Sequence, residues 1–260
     1  MHVVFEEEES RIVRRCLAGI LLVAISGLAA GQQGVVGDVL SGRLVKPKVG
    51  QWAWYEMEDA ETNRRYALRQ AIVGEEWVGW KKGYWLELEV VPPVGYRSVY
   101  KMLVTGPASD PRNVHRLLVR DGLSEPVEAP VGQEEGGQSK TPAIKRESMG
   151  VETVTTSAGE IKAEHLRLTS GGAASDMWVN DAVRPLGIVR MMSQDGELML
   201  LKYGEGGRDA RSVIDEDPLE GRAPPEPKVE VRVESGEMSE SHTSARPDAR
   251  AGPESVSEER

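Results

Sequence analysis

Cysteine is almost missing from this chain: Cys16 is the only one in 260 residues. Phenylalanine is as scarce, with Phe5 alone, and the histidines are His2, His115, His165 and His242. Each scarcity removes chemistry. Cys16 stands at the start of an apolar run, so a chain cut beyond that run has no thiol for a disulfide, a metal or a nucleophile. No two histidines lie four apart with glutamate between them, which excludes the zincin pattern, and no serine sits in a Gly-x-Ser-x-Gly elbow. No glycine-rich phosphate loop follows a strand and opens a helix. Excess positive charge is missing too. The net charge is −10, of which −7 falls within residues 215–260, leaving residues 32–214 near −2. Such a body offers no basic footprint for nucleic acid.

What is present begins with Arg11, Arg14 and Arg15, followed by the 15 apolar or small residues Cys16–Ala30. A basic segment, an apolar segment and a small-residue end make the layout of a secretory signal peptide over residues 1–31, with cleavage expected after Ala30 or Gly31. A span needs about 20 apolar residues, so the run is short for one; a retained N-terminal anchor is the alternative. Cys16 lies at the beginning of the run, where it is a poor lipidation site. Glu6–Glu9 are foreign to a leader, and initiation near Val13 would remove them. Export without disulfides points to a bacterial periplasmic or secreted protein.

Composition divides the remainder. Residues 36–214 are long enough to bury one core. After Tyr203 there is no aromatic residue, and residues 218–260 collect Pro, Glu, Ser and Arg, the composition of a disordered acidic tail. Within that tail Lys228–Val233 alternates like an isolated strand. Residues 132–148, rich in Gly, Gln and Glu, read as a loop between two sheet-forming halves, with one short helical turn at Ala143–Met149.

Period-two alternation dominates the body. Tyr84, Leu86, Leu88 and Val90 share a face opposite Glu87 and Glu89; Tyr96, Tyr100, Met102 and Val104 oppose Arg97 and Lys101; Ala53, Tyr55 and Met57 oppose Glu56 and Glu58. This predicts antiparallel strands with one wet face. Asp121–Gly122 and Asp195–Gly196 are hairpin signals, and Ser157–Glu160 separates two further strands. In 161–168 the apolar phase shifts from Ile161 and Ala163 to Leu166 and Leu168, which predicts a β-bulge near Glu164–His165. The expected fold is mainly β: about ten antiparallel strands in a curved sheet or incomplete barrel, with little helix.

Chemistry is thin. His115 and His165 sit in strand-like runs and meet Asp110, Asp176 or Asp181 only if the fold brings them together. Glu75 and Glu76 are adjacent on a strand and point apart, so they cannot act as paired carboxylates. Asp215–Asp217 lacks the spaced oxygen ligands of a calcium loop, and Gly204–Arg208 reads as a turn. Trp52, Trp54, Trp77, Trp80 and Trp85 crowd into 34 residues and serve either as packing or as an aromatic platform. No enzyme, metal site or cofactor is expected.

Lys48–Glu56, Ile72–Glu75, Gly83–Glu89, Thr156–His165, Met177–Val179 and Arg184–Val189 together resemble exported bacterial β proteins of the LolA/LppX-like, lipoprotein-sorting kind. That resemblance covers residues 48–214. It implies an incomplete barrel whose concave face holds acyl chains beneath helical lids, although no lid helices are evident. The expected function is an exported, non-enzymatic protein holding a lipid or a lipoprotein's acyl chain against Tyr55, Met57, Tyr84, Leu86, Leu88, Tyr100, Met102, Ile188 and Met199. The alternative is an envelope assembly module that binds another protein and no small molecule. A filled interior favours the second, and an open hollow the first.

Overall fold

The alternating runs are strands. The computed structural model describes residues 44–108, 110–131, 145–170, 173–218 and 224–225. Residues 1–43 with the expected signal peptide and Cys16, His242, Lys228–Val233, residues 132–144 and nearly all of residues 218–260 lie outside the described residues.

Six strands, β1 (Gln51–Asp59), β2 (Arg65–Val78), β3 (Lys81–Val91), β4 (Ser98–Val104), β5 (Val114–Asp121) and β6 (Val127–Ala129), form one meander. Five more, β7 (Lys145–Thr156), β8 (Gly159–Ser170), β9 (Ala173–Val179), β10 (Ile188–Ser193) and β11 (Gly196–Glu205), form a second. The last strand returns to the first, so β1 pairs with β11 and the meanders fuse into one antiparallel sheet ordered β6-β5-β4-β3-β2-β1-β11-β10-β9-β8-β7. The sheet is not closed: β6 and β7 are its two edges. Two short 3₁₀ turns, Pro111–Asn113 and Arg208–Ala210, are the helical structure among the described residues.

Curvature has a local cause. Five strand pairs carry a register shift, placing extra residues at Leu201, Val189, Val73, His115 and Met149, and each such bulge bends its strand. The bulge expected in β8 is instead on its partner. β8 runs in unbroken register against β9 from Glu164 to Ser170, and Met149 of β7 is the inserted residue. Ile161 and Ala163 therefore face opposite to Leu166 and Leu168. The helical turn expected at 143–149 is also corrected where described, because residues 145–149 belong to β7. Its Thr and Val content suits an extended strand. The β10–β11 hairpin is closed by Gln194 and Asp195, with Ser193 opposite Gly196, one residue earlier than the Asp195–Gly196 signal.

One large apolar core joins both meanders, mainly on the inner face, from Leu117 and Val119 of β5 through Leu68, Leu88, Met57 and Leu198 to Met177 and Leu168 of β9 and β8. The outer face of β1 to β5 is not wet. The chain leaves β11 at Gly206 and Gly207, both at positive φ (+75° and +73°), and residues 208–217 pass back over that face as a strap. Trp52, Trp54, Ala71 and Leu201 form a second core, with Ala210 of the strap against them, and Val99, Val213 and Ile214 form a third. Gly204 is required here: a Cβ would come within 2.7 Å of the Trp52 indole.

Candidate functional site

Seven of the nine expected ligand-facing residues lie within the inner core: Tyr55, Met57, Leu86, Leu88, Tyr100, Met102 and Ile188. Register explains their meeting. Met57 faces Leu198 across β1–β11, Leu88 faces Tyr100, and Leu86 faces Met102 across β3–β4. Tyr84, opposite Val104, is half-buried at the rim of the same face. Met199 also packs against this core but does not share the inner face. It pairs with Glu56 and Arg190 on the outer face, while Leu198 and Leu200 take the inward positions because the extra residue in β11 falls later, at Leu201.

That face is filled. Tyr55, Met57, Leu68, Ile72, Leu88, Met102, Met191, Leu198 and Leu200 expose essentially nothing to solvent. The Tyr55 hydroxyl, raised far above its ordinary pKa by burial, donates to the Ile188 carbonyl at 3.1 Å and ties β1 to β10. One polar side chain lies among these residues. Gln70, opposite Ala53 and Leu88, is fully buried, and neither end of its carboxamide has a hydrogen-bond partner among the described residues. A cleft of about 210 Å³ lies elsewhere, at Glu56, Arg65, Ala67, Val91, Pro92 and Pro93, with Pro224 and Pro225 on its wall.

The outer face carries the ionic chemistry, in two clusters. Beneath the strap, Arg69 Nε bonds to Glu89 Oε2 at 2.7 Å and its Nη2 to Glu87, while Arg97 bonds to Glu89 Oε1 at 2.9 Å; all four side chains are buried. Burial alone would lower the Arg69 pKa, but Glu89 and Glu87 together raise it, so the guanidinium stays charged. The same groups hold the strap. Arg69 donates to the carbonyls of Asp209 and Arg211, Glu87 accepts from Ser212 Oγ and from the Val213 amide, and Arg120 donates to the carbonyls of Val213 and Glu216. Glu87 and Glu89 were expected on a wet face, and the strap is what changes that.

The second cluster lies on β7 to β10. His165 and Trp178 face each other in register and stack with ring centres 4.3 Å apart. Glu152 Oε1 lies 3.1 Å from His165 Nδ1, and Asp176 Oδ1 lies 2.8 Å from its Nε2. Trp178 Nε1 donates to Glu152, Arg167 donates to Asp176, and Arg190 lies over the Trp178 ring at 5.2 Å. Bonds from Trp178 and then His165 hold the Glu152 carboxyl below its ordinary pKa. Burial pushes Asp176 up, but bonds from His165 and Arg167 outweigh it and leave the pKa lowered. Of the acids considered as partners for the histidines, Asp176 is brought to His165, whereas His115 bonds to Thr105 Oγ1. Among the described residues the hydrogen-bond partners of this imidazole are carboxylates, one on each ring nitrogen. The sequence signal that was available is the two-residue phase of β8 and β9, which puts His165, Arg167, Asp176 and Trp178 on one face once the pairing is known.

The remaining tryptophans divide: Trp52 and Trp54 are packing, and Trp77 and Trp80 are open to solvent. Glu75 bonds to Lys82 and Glu76 to Trp85, so the adjacent glutamates do point apart.

No family model matches the chain, and no curated protein matches it. Among solved structures it is similar to a candidate lipoprotein from Parabacteroides distasonis, at 14% identity over 60% of this chain and 96% of the other, with a TM-score of 0.32. It is also similar to a candidate exported protein with a YmcC-like fold from Bacteroides fragilis, at 10% identity over 63% of this chain and all of the other, again with a TM-score of 0.32. Among the described residues no helix is long and apolar enough to cross a membrane.

Proposed function

We propose that the protein is an exported, non-enzymatic assembly module of the bacterial envelope that binds another protein and holds no cargo in its sheet. The leader-like residues 1–31 support export. The filling of the inner face carries the choice: side chains that a lipid carrier would present to an acyl chain are spent on one another. A carrier of the LolA/LppX type would have to part this core to admit a chain.

The open edge supports a mode of binding. β7 is 12 residues long, and among the described residues it pairs with β8 on one side and with no strand on the other. Its backbone groups on that side are a template for a partner's strand. Val151 is 72% exposed and Met149 46%, and they supply apolar contacts that charged neighbours alone would not.

Native mass spectrometry of protein purified from its own cells tests the reading together with photocrosslinking from Val151. The expected result is a bare protein mass and a discrete protein adduct at that site. Stoichiometric added lipid mass, with no adduct, would overturn it in favour of the carrier.

A further inference from the structure

The β2–β3 hairpin outruns its neighbours. β1 accompanies β2 only to Ala71, opposite Trp52, and β4 accompanies β3 only from Tyr84, opposite Val104. The three pairs from Glu76–Gly83 to Val78–Lys81 thus project past both flanking strands, to a two-residue turn at Gly79–Trp80 where Gly79 has φ +58°. These three pairs extend roughly 10 Å past the end of β4, and the hairpin extends roughly 20 Å past Ala71.

The base of this projection is braced. The Trp85 indole packs on Gly74, donates to Glu76 at 3.2 Å, and has Lys101 and Arg116 over its ring at 5.5 and 5.3 Å. The end is bare. Trp77 is 67% exposed and Trp80 83%, and Lys81 lies 5.2 Å from the Trp80 ring centre. Large aromatics held on a stiff, convex stalk bury nothing within the chain, and such a patch marks a contact.

We propose that this tip inserts into the interfacial layer of a phospholipid bilayer containing anionic lipid. The order of residues along the hairpin carries the argument. Trp80 forms the turn, the Val78–Lys81 and Trp77–Lys82 pairs follow, and only then come Glu76 and Glu75. Aromatic bulk and the Lys81 ammonium therefore lead, while the carboxylates trail by one and two residue pairs, about 3–7 Å. Glu75 is further neutralised by Lys82 at 3.0 Å. Tryptophan rings settle at the headgroup level, where an apolar body and a polar N–H are both satisfied, and lysines near them are drawn to anionic phosphates. A convex tip needs a soft layer rather than a matched groove. This surface is separate from the core and from the β7 edge, so its fate is independent of the function proposed above.

The test is quenching of tryptophan fluorescence by brominated lipid, using the protein as its cells export it and vesicles of phosphatidylglycerol with phosphatidylethanolamine. Residues 1–51 contain no tryptophan, so insertion by the apolar run Cys16–Ala30 does not enter this readout. Quenching is expected in the native protein and is expected to vanish in W77S/W80S, with an unchanged melting temperature because both side chains are exposed. K81Q should weaken partitioning by about fivefold on anionic vesicles and have little effect on neutral ones. Absent quenching in the native protein, or quenching that survives in W77S/W80S, would overturn the proposal. A protein adduct from a photocrosslinker at Trp80, without vesicle quenching, would overturn it in favour of a protein partner.

Discussion

Strands β2, β3 and β4 present two cores built on opposite principles. Inward, Leu68, Leu88 and Tyr100 pack with Met57 and Leu198 in a mostly apolar face whose buried polar side chains on these strands include Gln70 and Ser98. Outward, the alternate residues Arg69, Glu87, Glu89 and Arg97 are nearly as buried and all carry charge, set among the apolar Ala71 and Val99. The inner face is covered by the sheet's own curvature, the outer by a strap of polypeptide. Sheet residues that meet one another are satisfied by dispersion and exclusion of water. The strap brings unpaired carbonyls and amides of its own, so the face beneath it must supply donors and acceptors. The carbonyls of Asp209, Arg211, Val213 and Glu216 and the amide of Val213 all find theirs in Arg69, Arg120 and Glu87.

The sharpest way to break this contrast is to remove one charge from the outer core. Arg69→Met leaves Glu87 and Glu89 buried with their main cation gone, and the expected loss is about 3–5 kcal/mol in denaturant unfolding. The triple variant that also carries Glu87→Leu and Glu89→Leu should regain only part of that loss, because it removes the buried carboxylates but leaves Arg97 without its Glu89 partner. Equal losses in the single and triple variants would show that packing of the Arg69 stem, not its charge, is what the strap needs.

Inward, the corresponding experiment runs in the opposite direction. Gln70→Met keeps length and flexibility while deleting a carboxamide whose two ends lack partners. A buried polar group without partners costs about 1–3 kcal/mol, so Gln70→Met should stabilise the protein by an amount in that range. Destabilisation would mean that the amide has a water or ligand to bond in solution, and would reopen the question of cargo.

These faces were not equally legible. Alternation in Tyr84–Val90 and Ala53–Met57 is enough to place Leu86, Leu88, Tyr55 and Met57 together, since a strand has only two sides and the apolar one must be covered. It is not enough to say whether the other side is wet. Glu87 and Glu89 are the residue types expected in water, and their burial depends on 208–217 returning across the sheet, a long-range event with no local signal except Gly206 and Gly207. Met199 was lost to one bulge at Leu201, because a single inserted residue reverses every side chain beyond it. The His165 cluster was out of reach for a related reason. Its four strands supply one or two polar residues each, and only the pairing order of β7 to β10 gathers them.

The same kind of pairing, left open to solvent, is what that cluster offers, and it should respond weakly and with pH. The Asp176 carboxyl is held below its ordinary value of 3.8 in the fold by His165 and Arg167, against the opposing effect of burial. A carboxyl whose pKa falls on folding stabilises the folded state above its ordinary pKa, and that contribution disappears as pH drops through the lowered value. Asp176→Asn should therefore lower the melting temperature at neutral pH by only a few degrees, about 1 kcal/mol or less, since the side chain is 29% exposed. The two melting curves should draw together once the pH falls below 3.8 and the native carboxyl takes up its proton. Added salt should narrow the gap at neutral pH as well, whereas the Arg69 deficit, sealed under the strap, should not respond to it. A gap that persists into acid would assign the role of Asp176 to geometry that asparagine cannot reproduce, and would remove the distinction drawn here between exposed and covered charge.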